Sequence, residues 1–166
     1  MAKIRHVASV EIRAPVEAVW KEITRRDAPQ RALFDTVLVT DLRPGSPYRY
    51  STPDRKRTFI VGRILEIDPP RRLVTTFGFA RDRTDYGRAT WTLEATPAGT
   101  RVTLVHEDLD TGTSAGRRIA STWDGILRDL RSLLETGRLP FGSRFKLGLM
   151  KVALPLFPKD RPGEYA

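Results

Sequence analysis

The residues that could do chemistry are few, and most of them fall in one stretch, His106-Glu107-Asp108-Leu109-Asp110. His106 follows Val102 and Leu104 at alternate positions, which puts its imidazole on the face those two residues bury. An imidazole titrates near neutrality, so His106 could orient a ligand by hydrogen bonding or serve as a general acid or base. The competing reading is a histidine at the core edge, bonded only to a neighbour. Glu107, Asp108 and Asp110 could share acid–base work, yet adjacent carboxylates at a strand end usually face solvent. His6 and His106 are the only histidines and there is no cysteine. That leaves no ligand-spaced metal motif, no thiol nucleophile and no disulfide. No GxSxG elbow, P-loop or GxGxxG fingerprint occurs. No metal or cofactor is expected, and His106 is the catalytic candidate only if the chain is an enzyme.

These residues need elements to hold them. The most strongly patterned is Arg117–Glu135, where Ile119, Trp123, Ile126, Leu127, Leu130, Leu133 and Leu134 share about one third of a helical wheel. Ser114 is the expected N-cap and Gly137 the expected C′ residue, with Pro140 beyond. Upstream the chain reads as strands. Lys3–Arg13 alternates, with His6, Ala8, Val10 and Ile12 on one face. A helix then starts at Pro15 and buries Val16, Val19, Trp20 and Ile23. A further helical turn is expected within Pro29–Phe34. Strands follow at Thr36–Leu42, Pro47–Thr52, Thr58–Ile67, Arg72–Ala80, Arg88–Thr96 and Arg101–Glu107, joined by short turns and by the polar loop RDRTDYG. Thr58–Ile67 is apolar on both faces and is expected to be central. The order β–α(α)–β×6–α predicts an α+β domain, an antiparallel seven-stranded sheet covered by one long helix.

The chain of 166 residues is expected to form one main domain. Its net charge of +9 comes mostly from arginines scattered along the sequence. With no nucleic-acid motif beside them, this reads as a compositional bias, and no specific nucleic-acid partner is expected. No apolar run is long enough to span a membrane and the N-terminus lacks a signal-peptide core, so a cytoplasmic location is expected.

Several segments together, APVEAVWKEIT, DLRPGSPYRY, GRILEIDPPRRLVTTF, RATWTLEATPAGTRVTLVHE and WDGILRDLRSLLETG, resemble the START-like (SRPBCC) superfamily. Within it they resemble the branch named after the C-terminal domain of the heat-shock chaperone ATPase activator. The resemblance runs from about Val7 to Gly137. It implies a helix-grip fold, a curved sheet gripping the C-terminal helix with an apolar cavity between them. The same side chains could instead be plain core. As cavity lining they would be Phe34, Tyr48, Phe59, Thr75, Phe77, Trp91, His106, Trp123 and Leu127. Tyr48, Thr75 and His106 are the expected polar anchors.

The expected division is a helix-grip domain at 1–137 and a basic extension at 138–166. The extension mixes Phe145, Leu147, Leu149, Met150, Val152, Leu154, Leu156 and Phe157 with Arg144, Lys146, Lys151 and Lys159. Its apolar residues do not keep a clean helical stripe, and Gly148 and Pro155 should limit any helix to a few turns. It is therefore expected to fold back on the domain or pair in a homodimer, in preference to lying on a membrane. Three functional readings follow. The first is a protein that binds a small apolar or aromatic molecule in the cavity. The second is a cyclase or dehydratase-type enzyme using the same cavity. The third is a co-chaperone-like module that binds a partner.

Overall fold

In the computed structural model, which describes residues 4–82 and 84–165, the first alternating stretch forms strand β1 (Ile4–Ile12). Lys3, the expected first residue of that strand, lies outside the described residues, as does Arg83 of the expected polar loop. β1 sends Ala8 and Ile12 into the core and leaves Val7 exposed, as a period of two requires. Helix α1 (Val16–Ile23) starts directly after Pro15, where a missing N–H costs nothing, and buries Val19 and Ile23. The expected extra turn is a 3-10 helix at Arg31–Leu33.

Six strands follow: β2 (Val37–Thr40), β3 (Pro47–Ser51), β4 (Thr58–Asp68), β5 (Arg72–Phe79), β6 (Asp85–Thr96) and β7 (Gly99–Leu109). The sheet order is β1-β7-β6-β5-β4-β3-β2 and every pairing is antiparallel. β2 is shorter than the sequence predicts. At one end the Thr36 hydroxyl donates to the Leu33 carbonyl at 2.6 Å, and at the other Leu42 takes a left-handed φ of 54°. β4 is interior, as expected, but its second face is not covered: Leu65 there is exposed.

Helix α2 (Ser114–Thr136) lies against β1, β7 and the 3-10 turn, with Ile119, Trp123, Ile126, Leu127 and Leu130 buried. Its N-cap is Thr113, one residue before the expected Ser114, because the Thr113 hydroxyl accepts the Gly116 N–H at 3.0 Å. It ends at Gly137, whose φ of 72° is open to glycine without a Cβ clash. The result is a two-layer helix-grip architecture.

The extension continues as helix α3 (Phe141–Ala153) and a 3-10 turn at Leu154–Leu156. Gly148 does not stop α3. The apolar pattern looks broken because it is two stripes on opposite faces, Leu147, Met150 and Leu154 inward and Phe141, Phe145, Leu149 and Val152 outward. Polar contacts tie the extension to the domain. The Ser143 hydroxyl donates to Asp129 at 2.7 Å, and Lys151 pairs with Asp35 at 2.6 Å. Asp160 accepts the Thr58 N–H at 2.9 Å and its hydroxyl at 2.7 Å, and the Tyr165 hydroxyl donates to the Ala80 carbonyl.

Candidate functional site

Where β3, β4 and β5 run beneath the first half of α2, the sheet and helix do not close on each other. Tyr50, Phe59, Ile60, Phe77 and Phe79 form the sheet side of the gap. Ile119, Thr122, Trp123 and Ile126 form the α2 side, at the i, i+3, i+4, i+7 spacing that shares one helical face. Leu147 and Met150 of α3 and Leu154 of the turn after it border it on a third side. Phe34 and Asp35, in consecutive left-handed conformations (φ 60° and 57°), turn the chain along its rim. The gap opens to solvent on one side and has a volume of about 830 Å³, inside the range of small-molecule sites.

The walls are mostly hydrocarbon and aromatic, with the charges grouped at Arg25, Arg31, Asp35, Arg118 and Lys151. Arg25 pairs with Glu22 at 2.9 Å and Asp35 with Lys151. Among the described residues, the Arg31 and Arg118 guanidinium groups have no acidic partner. Tyr50 is the one phenol on the wall, and its hydroxyl has no hydrogen-bond partner among the described residues. Burial raises its pKa above the ordinary phenol value, so it stays protonated and able to donate.

Phe34, Phe59, Phe77 and Trp123 of the expected set line this cavity. Tyr48, Thr75, Trp91, His106 and Leu127 do not; all five are buried in the packed core. Tyr48 lies across Gly62, where a Cβ would meet its ring at 2.6 Å, and donates to the Thr76 carbonyl at 2.7 Å. Trp91 packs edge-on to Trp123 with ring centroids 5.9 Å apart, on the side away from the cavity.

His106 sits one layer behind the wall and is 0% exposed. The Trp123 indole N–H donates to its Nδ1 at 2.8 Å, and its Nε2 lies 2.6 Å from the Tyr86 carbonyl. An indole can only donate and a carbonyl can only accept, so the ring is the neutral Nε2–H tautomer with both nitrogens engaged. Burial, followed by the nearby His6, pushes its pKa below the ordinary value against the opposing pull of the Tyr86 carbonyl. With no free lone pair or proton facing the cavity, His106 positions Trp123 and is not placed to contact a ligand. The neighbouring carboxylates are also occupied: Glu107 pairs with Arg88 at 2.7 Å, and Asp110 accepts the Gly112 N–H at 2.9 Å. Among the described residues no three His, Asp or Glu side chains form a group that could hold a metal.

Residues 13–135 match the family model described as activator of Hsp90 ATPase homolog 1-like protein. Solved structures with the same fold include a protein of Mesorhizobium loti, with 18% identity over 82% of this chain and 100% of that one and a TM-score of 0.67. The Aha1 dimer of Colwellia psychrerythraea is similar at 17% identity, over 83% and 99% of the two chains, with a TM-score of 0.63. A protein in the dynemicin biosynthetic locus gives 20% identity, over 81% of this chain and 48% of that one, with a TM-score of 0.65. At such identities these likenesses show the fold alone. No curated protein gives a significant sequence match.

Proposed function

The chain belongs to the family of activator of Hsp90 ATPase homolog 1-like proteins, and on that premise we propose that it is a cytoplasmic protein that encloses one small apolar or aromatic molecule. The observation that carries this reading is the cavity of about 830 Å³ walled by Phe59, Phe77, Trp123, Ile126 and their neighbours. Burying apolar ligand surface there supplies roughly 25 cal/mol per Å² before association costs. Tyr50 is the hydrogen-bond donor within the cavity. Arg31 and Arg118 at its border favour a ligand with an acidic end. In this reading residues 1–137 form the binding domain and residues 138–166 complete its cavity through α3.

A binding role is preferred to a cyclase or dehydratase role because the imidazole that would move protons is bonded on both sides and lies off the wall. A co-chaperone-like role has its support in the description of the family. Native mass spectrometry of gently purified protein tests the proposal. The expected result is a chain carrying one non-covalent small molecule, or one that takes up a single fatty acid or fused aromatic when offered. A chain that carries nothing and takes up neither would overturn it.

A further inference from the structure

The outer face of α3 is unusual for a protein surface. Phe141, Phe145, Leu149 and Val152 are 76%, 62%, 57% and 80% exposed, and Leu156 in the following turn is 86% exposed. At about 100° per residue the first four fall within about 80° of arc, opposite the stripe that walls the cavity. Arg144 and Lys146 flank this exposed stripe, the guanidinium lying over the Phe141 ring and the ammonium over the Phe34 ring. From Gly137 to Pro158 the sequence carries Arg138, Arg144, Lys146 and Lys151 and no carboxylate. Large apolar side chains that meet water in a contiguous row mark an interaction surface.

We propose that this face of α3 docks on an anionic lipid bilayer, lying in the interface without crossing it. No helix among the described residues is long and apolar enough to span a membrane, while an apolar stripe bordered by cations matches an in-plane interfacial helix. The aromatic and aliphatic residues enter the acyl boundary, and Arg144 and Lys146, both on long flexible stems, swing from the Phe141 and Phe34 rings to the lipid phosphates on either side. Charge decides between this partner and a second copy of the chain. Two copies meeting through this face would bring like cations together, with no carboxylate in the segment to pair them, whereas an anionic bilayer supplies the missing charge. The same short helix thereby carries the cavity wall on one face and the lipid contact on the other. The inference does not depend on the cavity being filled.

The test is co-sedimentation of the full chain with vesicles of phosphatidylcholine alone and with phosphatidylserine added. Phosphatidylserine-dependent binding that high salt weakens is expected. The double variant Phe145→Asp/Val152→Asp changes only exposed side chains and should melt like the parent, yet bind at least about tenfold more weakly. Replacing Arg144 or Lys146 by Gln should cost up to about fivefold each. A chain with a blocked cavity should bind vesicles as the parent does, which separates this inference from the binding proposal. No binding to phosphatidylserine vesicles, or equal binding by the double variant, would overturn it. So would a dimer in light scattering that the double variant converts to monomer, since a second copy would then own the stripe.

Discussion

At the scale of single residues, His106 and Trp123 act as a pair. Trp123 spans two environments, with its ring on the cavity wall and its N–H held by His106 behind it. Protonating His106 would place a second donor against the indole N–H and a charge in the core, so folding holds the imidazole neutral. The sign follows from linkage. A pKa depressed below the unfolded value of about 6.5 gives stability that is complete above that pH and is lost as pH falls toward the folded pKa. Urea denaturation from pH 7.5 down to 5 should therefore show the parent losing stability faster than His106→Gln, by at most about 1.4 kcal/mol per pH unit for one proton. Parallel profiles would mean that His106 titrates alike in both states. Its burial was legible in the sequence from the Val102-Leu104-His106 alternation. Its two partners were not, because Tyr86 and Trp123 reach it from a neighbouring strand and a helix.

At the scale of elements, α1, α2 and the strands other than β4 were readable because each has one buried face and one period, whereas β4 is apolar on both faces and covered on one. α3 was not, because two opposed apolar stripes on one helix add up to a pattern that looks random. The cavity lining divides in the same way. Phe34, Phe59, Phe77 and Trp123 follow from strand and helix faces, but strand period alone cannot separate Tyr50 on the wall from Tyr48 beneath it. That difference comes from Gly62, whose missing Cβ lets Tyr48 lie flat in the core. Leu147, Met150 and Leu154 were missed together, and their i, i+3, i+7 spacing was the available signal. α3 has no buried residue, whereas α2 has six. Amides of α3 should then exchange with deuterium well before those of α2. If α3 walls an occupied cavity, adding a bound fatty acid should slow exchange across residues 144–153. Unchanged α3 exchange at saturation would place the ligand elsewhere.

At the scale of the whole molecule, a curved sheet, a long helix over it and an added helix at one end leave a cavity instead of a closed core. Family membership and the helix grip account for the first two parts, and the matched segment ends at residue 135, before α3 begins. The third part lies outside the matched segment, and both the completed cavity and the exposed apolar stripe with its basic borders come from it. The measurement that bears most directly on the cavity is isothermal titration of a long-chain fatty acid into the parent and into Thr122→Trp. Thr122 lines the cavity from α2 and is only half-buried, so an indole there fills the space while the core stays intact. Saturable one-to-one binding by the parent is expected, with its loss in a Thr122→Trp protein that melts normally. Equal binding by the two proteins would contradict a site in the cavity.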